Sequence, residues 1–418
     1  MTVTTLLRRE PGPIAFGLLH TVAATVGQTF VISLFLPGIK ESFALSDAQV
    51  SLLFTATTLA SAAALWTVGA WIDRTDVVRY CLSCGLFLAL SCALIAGVPA
   101  LPALIVGMFC LRLAGNGLLT HVAITATARY FSRDRGQALS LVLLGSSFGE
   151  AALPTVLVAL IGTWGWRWTL LAAGCFGLSL VIAAAVAVRT QAAFRSPHSR
   201  SANVSAVARE RSEATGPRDS RTYFAWTAPL FIAMPLVITA TIFHQALLAA
   251  EKGVSLQWSA VSFMAFAIVR VPVSIFIGRI VDRLGSAWLF CLHLLPLGAG
   301  TAALIAVASP WVVPLYWLCA GVTGGMGSVL QATVVAERVP LARLGSARSV
   351  LAAVTIVASA VGPSLFGLGF AAGASMATIL WASVFVLLAA TMLGVVATRA
   401  EERQRRLSPA LRRRCVTR

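Results

Sequence analysis

Residues 69–79 read GAWIDRTDVVR, and residues 278–287 read GRIVDRLGSA. Each places a glycine four residues before an Asp-Arg pair: Gly69 before Asp73 and Arg74, Gly278 before Asp282 and Arg283. Each also interrupts a long apolar stretch. The two aspartates stand 209 residues apart, half of the 418-residue chain. Charged punctuation repeated at half the chain length points to two related halves, each carrying the same turn at the same place.

The stretches around these turns decide the solvent. The chain is 58% hydrophobic and 11% charged, with a mean hydropathy of +0.86. A soluble domain carries about a quarter charged residues, so this composition excludes a soluble globular protein. A helix needs roughly 20 apolar residues to cross a bilayer. Twelve such runs lie near 14–36, 49–71, 79–97, 101–126, 137–161, 167–188, 225–249, 257–280, 287–308, 311–335, 346–371 and 374–397. They are continuous, not alternating, which predicts helices and not barrel strands. The first run is too long for a signal-peptide core and reads as an uncleaved span. Most cysteines lie inside spans as small apolar residues. Cys81 and Cys84 lack the further ligands a metal site needs, and neither a metal nor a cofactor is expected.

Net charge is +17, and its placement predicts topology. With a cytoplasmic amino terminus, 27 of the 32 basic residues fall on the inner side. Lys40, Arg167 and Lys252 fall outside, while Arg112 and Arg270 lie within spans. This is a strong positive-inside pattern and predicts a multi-pass protein of the plasma or inner membrane with both termini cytoplasmic. The basic linker and tail face anionic headgroups. Nucleic-acid binding would want a folded module or interleaved aromatics, and neither is present.

Segment 189–224 contains RSPHSRSANVSAVARERSEATGPRDSR (195–221), which has too few large apolar residues to build a core. The predicted organisation is a six-helix bundle over 1–188, a cytoplasmic linker over 189–224, a second bundle over 225–398 and a basic tail over 399–418. The halves echo each other elsewhere. ARYFSRDRGQALSL (128–141) corresponds to AERVPLARLGSARSV (336–350), and Gly145, Gly149 and Pro154 in span five match Gly362 and Pro363 in span eleven.

The doubled turn, the six-plus-six spans and the central linker together resemble the major facilitator superfamily over nearly the whole chain. Trp164-Gly165-Trp166-Arg167 before span six is similar to that family too. The resemblance implies an all-α integral membrane fold of twelve transmembrane helices in two pseudo-symmetric halves, and alternating access; the sequence offers no nucleophile–base constellation, metal cluster or phosphate loop, so an enzyme is not expected. The resemblance also implies a cytoplasmic gate formed by Gly69, Asp73, Arg74, Gly278, Asp282 and Arg283. Gly69 and Gly278 would admit a neighbouring helix closely, and the aspartates would accept from helix N-terminal amides or pair with arginines. Two details depart from the family pattern: Asp76 stands where Gly is common, and neither copy carries the full basic run that usually follows.

Ionisable residues inside spans are the functional candidates. Arg112, Glu150 and Arg270 lie near the middles of spans four, five and eight, and each costs about 2.5–3.5 kcal/mol at a helix centre. Two arginines, one per half, suit a bound carboxylate or similar anion. Alternatively Arg112 pairs structurally with Glu150. Glu150 is also the candidate carrier of a coupling proton. His244 and Gln245 in span seven, Gln28 in span one and Gln331 in span ten are further candidates for the substrate path. His293 reads as a structural hydrogen-bonder.

GQTFVISLFLPGIKESFALSDAQVSLLFT (27–55) resembles the monocarboxylate and oxalate/formate branch, as does YFSRDRGQALSL. That branch often has an Arg-Pro pair where this chain has Ser274 and Ile275, and Arg270 lies one turn earlier. The expected function is therefore secondary transport of a small organic anion, proton-coupled or by exchange, by a monomer in contact with lipid. The alternatives are a drug or metabolite efflux antiporter, since Arg112, Gly115 and Gly117 resemble a motif of those pumps, and a non-transporting receptor or scaffold.

Overall fold

The computed structural model describes residues 6, 8–131, 134–189, 191 and 220–416. The side chains of 70, 73, 220, 221, 282, 284, 341–343, 345, 346 and 404–416 lie outside that description. Most of the expected 189–224 linker therefore falls outside it, as do the carboxylates of Asp73 and Asp282.

The described residues form helices and no strands. Eleven helical segments are long and apolar enough to cross a membrane. One of them, Arg135–Ala187, runs for 53 residues and turns sharply at Gly165, with φ 75° and ψ 165°. Glycine adopts this backbone without the strain a Cβ would bring. Its two arms are spans five and six, which accounts for the twelve expected runs.

Local chemistry sets where the spans begin. Span two, Asp47–Val68, opens on a reciprocal cap: Gln49 N donates to Ser46 Oγ, and Ser46 N donates to Gln49 Oε1. This arrangement satisfies two amides that a helix start leaves orphaned. Span three, Val77–Gly97, opens on Asp76, whose Oδ1 accepts from Arg79 N at 3.0 Å. The aspartate that departs from the family pattern is thus an N-cap.

The chain divides into two compact units. The first holds Met1–Ala202 together with Thr239–Ala267 and Pro363–Gly373. Segments from spans seven, eight and eleven are thus packed with the first-half helices. In this unit the 11–43 span lies along span five, where Gly145 and Gly149 sit against Leu18 O and Thr25.

The second unit holds Asn203–Ile238, Ile268–Gly362 and Ala374–Arg418. Its core is aromatic, with Tyr316, Trp317, Phe231 and Phe290 fully buried. One end is tied by polar contacts that no single stretch of sequence announces. Buried Arg338 pairs with Glu401 at 3.0 Å, and its guanidinium lies 4.1 Å from the centre of the Tyr223 ring. Ser286 donates to Glu337, and Trp288 Nε1 donates to Glu402 at 2.6 Å.

Candidate functional site

Span one is not a continuous helix. It runs as Pro11–Ala24, tightens into a 3₁₀ turn over Thr25–Gly27, extends at Gln28 (φ −83°, ψ 156°) and restarts as Thr29–Phe43. Span four is irregular as well. Immediately after Arg112 its Leu113–Leu119 segment is a π-helix, a form frequent at functional sites. The two irregular segments meet backbone to backbone. A Cβ on Gly27 would lie 2.6 Å from Leu111 O, and a Cβ on Gly115 would lie 2.6 Å from Gly27 Cα. Only glycine allows chains this close.

Arg112 completes this junction. It is 4% exposed. Its Nη1 donates to Gly27 O at 2.8 Å and its Nε to Thr58 Oγ1 at 3.1 Å, while its guanidinium lies 5.1 Å from the Phe54 ring centre. A broken helix leaves carbonyls without intrahelical donors, and in an apolar interior such groups must find partners. Arg112 supplies one. Glu150, the alternative partner weighed from sequence, is not what holds it. Glu150 is half-buried beside Gly149, whose missing Cβ is filled by Thr25. It therefore sits at the level of the break. Gln28, at the break itself, is half-buried too.

Two of the second-half candidates, Arg270 and Gln331, lie in the other unit. Arg270 is half-buried on the Leu256–Leu284 helix, and its carbonyl oxygen fills the space beside Gly325 of the Val312–Arg338 helix. Gln331, on that same Val312–Arg338 helix, has a buried Nε2 with no hydrogen-bond partner among the described residues.

His244 and Gln245 belong to a different cluster. His244 Nε2 donates to Pro363 O at 3.1 Å and lies 3.4 Å from Ser51 Oγ. Gln245 Nε2 donates to Ser33 Oγ at 2.7 Å. Ser364 Oγ donates to Ser51 O at 3.0 Å and also meets Thr55 Oγ1. Gly367 packs against Ser51 and Asp47 O. Stacked Phe30 and Phe263, and tilted Phe54 and Phe243, flank these bonds. Segments of spans seven, eight and eleven are thereby fastened to spans one and two, at the end away from the 69–76 turn. The hydroxyls of Ser33, Ser51, Thr55 and Ser364 escaped the sequence reading, because Ser and Thr within spans are common and nothing in their spacing sets these apart.

The histidines at 20 and 293 are buried, and each hydrogen-bonds its own helix through Nδ1, to Phe16 O at 2.7 Å and to Phe290 O at 2.6 Å. This is the structural role expected for His293.

At the first charged turn, Gly69–Asp73 continues span two as a 3₁₀ helix and Arg74 is exposed. Tyr80 OH donates to Val68 O at 3.0 Å. At the second, Gly278 lies inside a helix, Arg283 near its end is exposed, and Gly285 makes the turn with φ 80°. The close helix approach expected at the motif glycines is not found among the described residues. A Cβ at Gly69 would make only ordinary contacts, and at Gly278 it would meet open space.

Comparison with known proteins follows the same lines. The family model described as Major Facilitator Superfamily matches residues 18–292 and 227–414. A curated relative, the MFS-type transporter pytF of Aspergillus terreus, is 30% identical over 173 residues, which is 40% of this chain and 53% of the relative. The match thus spans about half the relative's length. Among solved structures, a bacterial homolog of the human lysosomal transporter Spinster, inward-facing and occupied, aligns with a TM-score of 0.70 at 18% identity, covering 94% of this chain and 97% of the other. A mutant of the peptide transporter POT gives 0.72 at 15% identity, with 94% of each chain covered. The nucleoside transporter NupG gives 0.66 at 12% identity, over 96% of this chain and 99% of its own. At these identities the likeness is one of fold.

Proposed function

The chain belongs to the major facilitator superfamily, and on that premise we propose that it is a secondary transporter carrying a small organic anion across the membrane by alternating access. The observation that carries the reading is Arg112. A guanidinium this deeply buried, beside a break in span one, is a costly feature for a membrane protein to hold unless it serves a site. Two of its N–H donors serve Gly27 and Thr58; the others are left for a ligand, since guanidinium has five. Arg270 is the second candidate anion contact, and Gln28 and Gln331 are further candidate substrate contacts. Glu150, at the level of the break, carries the coupling proton if transport is proton-driven. His244 and Gln245 close one end of the path, and the Asp73 and Asp282 turns gate the other.

In this reading the chain is organised as bundles at 1–188 and 225–398 joined by the 189–224 linker. Both termini are cytoplasmic because 27 of 32 basic residues then face inward. The protein works as a monomer in the plasma or inner membrane.

Thermal unfolding of the purified protein against carboxylates, inorganic anions, cations and neutral solutes tests this. A solute at 100 times its dissociation constant adds about 2.7 kcal/mol of stability. A shift with small carboxylates that disappears in Arg270→Ala supports the organic-anion reading. One observation favours a second reading, an efflux antiporter for drugs or metabolites: Arg112 already spends donors inside the protein. Shifts confined to cationic or bulky amphipathic compounds would select that reading.

A further inference from the structure

We propose that the corner between spans five and six holds one anionic glycerophospholipid, its phosphate on Arg167 and an acyl chain in the groove below. The groove encloses about 490 Å³ and is lined by Trp164, Trp168, Leu171, Ala172 and Cys175. No charged side chain lines it. It is open along one side, where Trp164 is 56% and Trp168 69% exposed, and Cys175 is exposed as well. A pocket for a water-borne solute buries most of its ligand, and a groove this open does not. An acyl chain needs no such enclosure. On a membrane-spanning helix an exposed face meets lipid, so the chain's far side lies against other chains.

Lipid chains are as apolar as the groove, so the groove alone gives little preference for one lipid over another. The preference comes from the end nearest the Gly165 turn. Positions 167, 168, 171, 172 and 175 recur at helical spacing, so Arg167 stands one turn above Leu171 on the face that carries the groove. Cys175 lies about 12 Å deeper along the helix. Helical side chains lean toward the helix start, which carries the Arg167 guanidinium to the turn at the membrane surface. It is held there. Its centre lies 4.5 Å from that of the Trp166 ring, and a Cβ on Gly38 would run into that ring, so Trp166 is wedged on span one. This contact uses the flat face of the guanidinium and none of its N–H donors. Arg167 has no ion-pair partner among the described residues, and the indole N–H groups of Trp164 and Trp168 have no hydrogen-bond partner among them. Arg and Trp side chains offer donors and no acceptors. Three such groups around one turn fit a head that is all acceptor, a phosphodiester beside ester carbonyls. A net anionic head is favoured over a zwitterionic one, whose own ammonium competes with Arg167 for the phosphate.

The test uses the whole chain in phosphatidylcholine bilayers that carry a small share of chain-brominated lipid, which quenches the tryptophans it touches. Subtracting the quenching found in Trp164→Phe/Trp168→Phe isolates these two indoles. Brominated phosphatidylglycerol is expected to be enriched beside them about fivefold over brominated phosphatidylcholine, the weight of one arginine at a membrane surface. In Arg167→Gln the two lipids should quench alike. Arg167 is exposed, so this change leaves the packed interior intact. Equal quenching by the two lipids in the native chain overturns the proposal, as does a preference that survives in Arg167→Gln. Quenching by neither lipid overturns it too, and would mean that a second copy or another membrane helix covers the groove. Should the double variant fold poorly, Trp168→Phe alone serves as the blank. No outcome depends on what the protein transports.

Discussion

Arg112 ties the break in span one to span two through one side chain, and substitution tests that role. Arg112→Ala removes the donor to Gly27 O and Thr58 Oγ1 and leaves a carbonyl unsatisfied in an apolar interior. The expected loss is about 1–3 kcal/mol, read as a lower unfolding temperature in detergent. Arg112→Lys keeps a charge but not the planar fork that reaches two acceptors at once. It is expected to recover only part of that loss, and full recovery would mean that charge alone matters at this position. Asp76 offers a smaller residue-scale case. Asp76→Ala removes the side chain that caps span three and should cost about 1 kcal/mol, while Asp76→Asn should cost little. The sequence marked Asp76 as a departure from the family pattern, and the hydrogen bond from Arg79 N supplies its reason.

Among the elements, the junction of spans one and four is the most constrained. Gly115→Ala places a methyl group 2.6 Å from Gly27 Cα, against backbone that no rotamer change can move. The helices must part, at an expected cost of about 1–3 kcal/mol, with the Arg112–Gly27 bond lengthening as they do. Gly278→Ala is the control. Its Cβ meets open space, so stability should change by no more than about 0.5 kcal/mol. Thermal unfolding of the two variants side by side decides the matter, and equal effects would contradict the packing described. The helices themselves were legible in sequence, since a run of apolar residues long enough to span a bilayer has few other fates. The break at Gln28 and the π segment after Arg112 were not. Both interrupt apolar stretches without proline, and it is the contact between them that makes each irregularity tolerable.

The transport reading makes demands on the whole molecule. Glu150→Gln in proteoliposomes is expected to abolish accumulation driven by a proton gradient while leaving solute exchange intact; unaltered accumulation would remove Glu150 from the coupling. Topology has its own check. A cysteine in place of Ser205 in the linker should react with an impermeant maleimide in inside-out vesicles and not in intact cells. The reverse pattern would invert the orientation inferred from the basic residues.

By itself the sequence determined that this chain is helical, that it lies in a membrane, that its halves repeat, and which ionisable residues sit deep in its spans. These follow from burial and charge, which each residue carries wherever it goes. What each polar side chain touches was decided only by the tertiary structure. Arg112, weighed in sequence as an anion contact or the partner of Glu150, bonds Gly27 O, and His244 and Gln245 join a hydrogen-bonded cluster with Ser51, Pro363 and Ser33. Hydrogen bonds are short and directional. Residues 193 or more positions apart, such as Ser51 and His244, come within reach only after the helices have packed.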